Sequence, residues 1–330
     1  MRRLDEDVAL ERIRRALTGG IEVGDLRDDA AVLDVPGGGS VVVSVDSVVD
    51  GVHVDRGLCS PHDIGWKALM GALSDLAAMG ARPLGALVAL CVPEADGDGS
   101  VALGVMEGVA EASAASGCPV VGGDVSSAGV LVVSVTVMGT LAGGSAVPRS
   151  GARAGDVILV TGPCGGSAAG LRVLRDRAGS AASADAAGSA ASADAAGSAA
   201  SANLASVFRR PVARLAEGEA ARLSGAHAMI DVSDGLALDL HRLADASGVG
   251  FALDTVPVAA GATSEEALGG GEDYELIVLI DPGHLEAYEK RHAGSGLRPP
   301  LRIGTATGDP SRRTLDGRDL ARLGWQHRLG

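Results

Sequence analysis

Aromatic side chains are scarce in this sequence: Phe, Trp and Tyr occur twice each and together make up 2% of 330 residues. Its cores must therefore close with Val, Leu, Ile and Ala, and the hydrophobic fraction of 46% is ample for that. Positive charge is also short. A formal net charge of −14 excludes an obvious nucleic-acid partner, because phosphate backbones are held by Lys and Arg surfaces. The four cysteines, Cys59, Cys91, Cys118 and Cys164, form no CxxC pair. That argues against a zinc site or disulfide framework and for reduced thiols in a cytoplasmic protein. No apolar signal core follows the charged first residues. Residues 125–148 carry no charge, but Ser134 and Thr136 interleave with valines. That stretch reads as a buried strand and a turn, so no membrane segment is expected. The chain also lacks the GxxxxGK[ST] loop, the GxGxxG fingerprint and the GxSxG elbow. Its run Gly165-Gly-Ser-Ala-Ala-Gly170 has the glycines of a phosphate loop without the lysine.

What is present reads as alternating strands and helices in two successive blocks. The length exceeds one typical core and suggests two domains. Helical spacing predicts helices over 6–17, 62–79 and 100–116, and strands fall at 30–35, 41–46, 84–92, 119–121 and 130–141. Gly122-Gly-Asp124 reads as the turn after the short strand. A second series begins near 151, with strands at 156–161, 228–232, 274–280 and 301–307 and helices from 167, 212, 234 and 282. Residues 178–203 hold two copies of AGSAASADA and a shortened third. This unit has no large apolar side chain to bury and reads as a flexible insertion. The pattern predicts an α/β (α+β) protein divided into 1–148 and 149–330.

The informative feature is where aspartates fall. Asp28-Asp29 precedes a strand, Asp46 closes one, and Asp124 follows one. Asp231 and Asp234 flank a strand-to-helix joint, and Asp75 lies within the helix at 62–79. Carboxylates at turns and helix starts ordinarily cap amides. Asp75 gains nothing from capping, though it could simply face solvent. His53, Glu272 within 269–274, and Trp325 each have ordinary surface, turn or packing readings.

Taken in order, nine segments resemble thiamine-phosphate kinase. They are DDAAVL (28–33), SVDSVVDGVH (44–53), KALMGALSDLAAMGARP (67–83), VGGD (121–124), RSGARAGD (149–156), VTGPCGGSAAGL (160–171), IDVSDGL (230–236), GGEDYEL (270–276) and GW (324–325). The resemblance implies the two-domain fold typified by aminoimidazole ribonucleotide synthetase. Its N-terminal α/β domain pairs across a homodimer, and its C-terminal domain is α+β. The implied reaction is ATP-dependent phosphorylation of thiamine monophosphate to thiamine diphosphate. The alternatives are a synthetase-like ligase of the same superfamily or a catalytically silent nucleotide-binding relative.

By the same resemblance, Asp29, Ser44, Asp46, Asp75, Asp124, Asp231 and Asp234 would hold several Mg²⁺ ions. Gly123, Asp124, Arg149 and Ser233 would contact ATP, and His53, Glu272 and Trp325 would contact thiamine monophosphate. The chain has Val45 where the family often has threonine, and Val125-Ser-Ser127 where it often has Thr-Thr-Arg. The chemistry suits these residues. A phosphate monoester is already largely anionic at neutral pH, so no general base is needed. The obstacle is repulsion: two groups of about −2 each, ~4 Å apart at an effective dielectric of ~20, repel by roughly 16 kcal/mol. Scattered carboxylates suit Mg²⁺, which takes hard oxygen ligands and keeps some waters.

Overall fold

A computed structural model describes residues 28–186 and 199–326, with short pieces at 4–5, 8–9, 12–13, 16 and 328–329. Much of the helix expected over 6–17 lies outside the described residues. The described ones at 8–9, 12–13 and 16 are helical.

The first half is a five-stranded sheet with two helices on one face. Strands β1 (Ala31–Asp34), β2 (Ser40–Val49), β3 (Arg82–Pro93), β4 (Val120–Ala128) and β5 (Val132–Thr140) lie in the order β1-β2-β5-β3-β4. Only β3 and β4 run parallel. Parallel neighbours need a long crossover, and α2 (Ser100–Ser116) provides it. Helix α1 (Pro61–Ala78) starts at a capping box between Ser60 and Asp63. It buries Leu69, Leu73 and Leu76 completely. Its crossing with α2 is tight because two glycines meet backbone: a Cβ at Gly65 would lie 1.9 Å from the Val105 carbonyl oxygen, and one at Gly108 would lie 1.9 Å from that of His62. The other face of the sheet leaves Leu33, Val45 and Leu87 exposed.

The expected turn at 122–124 is instead the middle of β4. Gly123 pairs with Val88 and Asp124 with Ala89. Glycines suggested a turn, but Gly123 has a different reason: a Cβ there would sit 1.9 Å from the Val88 carbonyl oxygen.

The second half is a seven-stranded, mostly antiparallel sheet. Its strands are β6 (Val157–Val160), β7 (Ala226–Asp231), β8 (Gly250–Leu253), β9 (Leu276–Ile280), β10 (Leu301–Thr307), β11 (Arg313–Leu315) and β12 (Arg318–Asp319). Their order is β12-β11-β8-β10-β6-β9-β7. Strand β9 is buried along its whole length. Its alternating side chains serve two cores, Ile277 and Leu279 in one, Leu276, Val278 and Ile280 in the other. The second of these cores also takes Ala77 and Ala78 from the end of α1. Helix α1 thus packs on both halves, which brings Asp75 beside the end of β7.

Helices α3 (Gly166–Ala186) and α4 (Ala199–Arg209) pack as a pair, so close at Gly170 that a Cβ would lie 2.1 Å from the Leu204 carbonyl oxygen. The repeat at 178–203 was expected to be a flexible insertion. Its described ends, through 186 and from 199, are helical continuations of this pair. Alanine-rich sequence has high helix propensity, which the apolar count alone did not weigh.

Candidate active site

Three carboxylates from distant parts of the chain converge. Asp29 precedes β1, Asp75 projects from α1, and Asp231 ends β7 where Leu276 pairs with it. Each offers an oxygen within 4.8 Å of the others. Asp29 and Asp231 are buried, and Asp75 keeps partial exposure. Hydroxyls from neighbouring positions orient them. Ser44 Oγ donates to Asp75 Oδ2 at 2.5 Å, and Ser74 Oγ donates to Asp231 Oδ2 at 2.6 Å. Arg149 grips Asp29 with two nitrogens, at 2.9 and 2.6 Å. Burial pushes the Asp75 carboxyl well above the usual carboxylate range, and the charges of Asp231 and Asp29 push it further. Asp231 is raised in the same way, by burial first and then by Asp29.

This is an excess of buried negative charge that one guanidinium does not balance. The donors are all oxygen, with no imidazole or thiolate in the group. Mg²⁺ or a similar hard divalent cation fits that set.

The cluster forms one end of a cleft of about 820 Å³ between the two halves. Asp46, His53, Asp75, Asp231, Ser233, Asp234, Glu272 and Trp325 all line it. Asp29, Ser44 and Arg149 are not in this lining; Ser44 reaches it through its bond to Asp75, and Arg149 is bonded to Asp29. Backbone ties set the wall opposite α1. Glu272 N donates to Ser233 O at 2.7 Å, Tyr274 N to Val232 O at 2.9 Å, and Trp325 N to Asp234 O at 2.9 Å. Three motifs far apart in sequence are thereby held edge to edge. On the α1 side, His53 Nδ1 accepts the Val49 amide at 3.1 Å, which fixes the turn that carries it.

Two of the expected residues do not join this group within one chain. Gly123 lies in the same cross-strand row as Asp46, through Val135 and Val88. Three strand spacings separate them, or about 14 Å. Asp124 follows it and pairs with exposed Ala89, so its side chain leaves the sheet on the face away from α1. Asp234 lines the cleft but is ion-paired with Arg242 and lies outside the three-carboxylate group.

Two sets of backbone amides near the cleft are already engaged. Helix α5 (Leu215–Leu223) precedes β7, and helix α6 (Leu236–Ser247) follows it; Asp239 in the first turn of α6 accepts the amides of Asp234 and Gly235 at 2.9 and 3.0 Å. The Asp239 carboxyl is raised to about 7, chiefly by burial. Likewise, Asp273 accepts from Gly165 N at 2.5 Å and Ser167 N at 3.0 Å, so it occupies the glycine-rich turn before α3. Asp239 and Asp273 were not singled out in the sequence. Neither was Lys67, although it is one of only two lysines in the sequence and lies eight residues before Asp75 on the same helix.

The chain as a whole has known relatives. Residues 27–141 match the family described as AIR synthase related protein, N-terminal domain, and residues 153–316 match its C-terminal domain. Thiamine-monophosphate kinase from Bacillus subtilis (strain 168) is 34% identical over 293 residues, covering 86% of this chain and 85% of that one. This chain belongs to the thiamine-monophosphate kinase family. Solved structures agree with the membership. Thiamine-monophosphate kinase from Stenotrophomonas maltophilia K279a is 32% identical, covers 95% of this chain and 96% of its own, and superposes with a TM-score of 0.73. AaThiL complexed with AMPPCP and TMP is 28% identical, with a TM-score of 0.81 over 98% of this chain and 97% of its own. The two-domain α/β architecture expected from the family resemblance is the one observed. Among the described residues, no helix is long and apolar enough to cross a membrane.

Proposed function

We propose that this kinase-family chain transfers the γ-phosphoryl group of ATP to thiamine monophosphate, giving thiamine diphosphate, with Mg²⁺ held by the carboxylate cluster. The observation that carries the reading is the convergence of Asp29, Asp75 and Asp231 within 4.8 Å at one end of a cleft that also takes in His53, Glu272 and Trp325. Asp46 and Asp234 line the same cleft, and Ser44 supports the cluster through Asp75. When bound, Mg²⁺ supplies charge neutralisation for two phosphates that otherwise repel.

The chain's own groups bind and orient. Arg149 holds Asp29 in place and lends positive charge to that end of the cleft, and Ser233 lies on its lining. Ser44 and Ser74 each fix one oxygen of Asp75 and Asp231, leaving the second oxygen of each to face a ligand. At the other end, Glu272 meets the positive charge of a thiazolium, and the indole of Trp325 offers a flat face to a ring. No side chain serves as nucleophile or general base, since the acceptor oxygen is already anionic. The work is positioning.

The proposal extends to a homodimer formed through the sheet face that carries Leu33, Val45 and Leu87. A second copy seated there would cover these side chains and lie against Asp124, giving Gly123 and Asp124 a ligand-binding role that one chain does not. The four free cysteines, three of them buried, suit a reducing cytoplasm.

Incubation with ATP, Mg²⁺ and thiamine monophosphate, with products followed by chromatography, tests the reading. Thiamine diphosphate is expected from the monophosphate and not from free thiamine. Absence of product across a full magnesium titration would refute it.

A further inference from the structure

We propose that Lys67 is a positioning residue that holds Glu272 for the substrate and so sets the affinity of the thiamine end of the cleft. This rests on the function proposed above. Only two lysines occur among the 28 Lys and Arg of the sequence, Lys67 and Lys290. Lys290 is exposed in α8 (Leu285–Gly294). Lys67 is the opposite case, 1% exposed and inside α1. A buried ammonium persists only when it is paired and hydrogen-bonded. Its Nζ donates to Glu272 Oε2 at 2.7 Å and to the Phe208 carbonyl oxygen at 3.3 Å. It also stands 3.9 Å from the centre of the Phe208 ring. Three elements meet at this one charge: α1, the end of α4, and the loop that leads into β9.

Glu272 needs such an anchor. Its backbone is left-handed, with φ +64°, a conformation that non-glycine residues rarely adopt. Its side chain is 26% exposed on the cleft. Lys67 takes Oε2, while Oε1 has no hydrogen-bond partner among the described residues. One oxygen is fixed and the other presented.

The helix sets the reach. Lys67, Gly71 and Asp75 recur every four residues on one face of α1, so about 12 Å of helix axis separates the anchor of Glu272 from the carboxylate cluster. Between them Gly71 has no side chain, and a Cβ would meet Tyr274 Oη at 3.0 Å and Asp46 Oδ2 at 3.3 Å. One rigid element thereby spaces the thiazolium end, at Glu272, from the carboxylate cluster at Asp75. A compact ammonium also fits this site better than a guanidinium, whose planar fork needs more room.

Steady-state kinetics on the full chain test the proposal, with wild type, K67M, K67R, E272Q and K67M/E272Q measured beside one another. Loss of a charge-assisted bond to a binding carboxylate predicts that K67M raises KM for thiamine monophosphate about tenfold or more. KM for ATP should stay within about twofold and kcat within about threefold, because Lys67 touches neither the cluster nor its ligands. K67R should also raise KM for thiamine monophosphate, since the charge remains but the geometry does not. Because Lys67 acts through Glu272, K67M/E272Q should be no worse than E272Q alone. A merely structural lysine would instead lower the melting temperature, disturb both KM values and kcat together, and add to E272Q. That pattern, or a K67M enzyme with wild-type KM, overturns the proposal. Should K67M not fold, the K67R and K67M/E272Q comparisons decide by the same criteria. If wild type makes no thiamine diphosphate, the functional reading fails first, and the Lys67 inference falls with it.

Discussion

Replacing Asp75 with Asn should make the metal-free protein more stable and nearly inactive at once. Three carboxylates lie with oxygens within 4.8 Å of one another, and one guanidinium faces them. At that separation and an effective dielectric of ~20, each charged pair repels by roughly 3 kcal/mol. Part of this is relieved by proton uptake, since burial and neighbouring charge raise the Asp75 and Asp231 carboxyls. A net gain of about 1–3 kcal/mol is left for Asp75→Asn, or a melting temperature higher by about 2–6 °C in a chelator. The amide oxygen of Asn can still accept from Ser44, so the local fold has no reason to change. Adding Mg²⁺ should then reverse the order. Wild type gains about 2.7 kcal/mol at a hundredfold excess over its dissociation constant, whereas the variant gains far less. Turnover should fall at least about a hundredfold, as expected when a group that stabilises charge in the transition state is lost. Differential scanning calorimetry with and without Mg²⁺, beside the thiamine diphosphate assay, reads both effects. A variant that melts below wild type without metal, or turns over within a few-fold of it, would refute the reasoning.

Three further outcomes follow from other parts of the molecule. Burial raises the Asp273 carboxyl from 3.8 to about 7, above its unfolded value, so the folded state binds the extra proton between these limits. Its contribution is therefore full at low pH and lost as pH rises through 7. Asp273→Asn should flatten the stability profile over pH 4–7 by up to about 1.4 kcal/mol per pH unit, read from urea titrations at several pH values. Replacing residues 187–198 with a short linker should leave kcat/KM within about twofold, because Leu171 and Phe208, which line the cleft, lie outside that segment. A severe loss would mean that the repeat contributes to the site. Val45→Asp combined with Leu87→Asp should convert the proposed dimer to a monomer in sedimentation, with activity falling in step. These side chains are 64% and 40% exposed on the open sheet face, and buried like charges would part the copies. An unchanged sedimentation coefficient would place the contact elsewhere.

Where local pattern and environment agreed, the elements were legible from spacing. Leu69, Leu73 and Leu76 gave α1 its buried stripe, and the helix at 100–116 and the strand at 301–307 appear as expected. Reading failed where tertiary contact gave a residue a second reason to be there. The glycines at 122–123 suggested a turn, yet Gly123 serves close strand packing. The short strand β8 and helix α7 (Ser264–Gly269) went unnoticed, because four or six residues carry too little periodicity to stand out.

The sequence by itself determined that the chain has two blocks of strands and helices, with Asp29 and Asp231 at strand ends and Asp75 in a helix, whereas Asp46 and Asp124, expected at strand ends, lie inside β2 and β4. Through its motifs it also pointed to the family. Chain order cannot say which carboxylates meet, since Asp29, Asp75 and Asp231 are brought together only when α1 packs on both halves at once. Tertiary structure alone decided that Asp239 takes the amides of Asp234 and Gly235, that Asp273 takes those of Gly165 and Ser167, that Asp124 faces away, and that a lysine two helical turns from Asp75 grips Glu272. Each of these is a through-space pairing of charge or backbone, and such pairings leave no periodic trace along a chain.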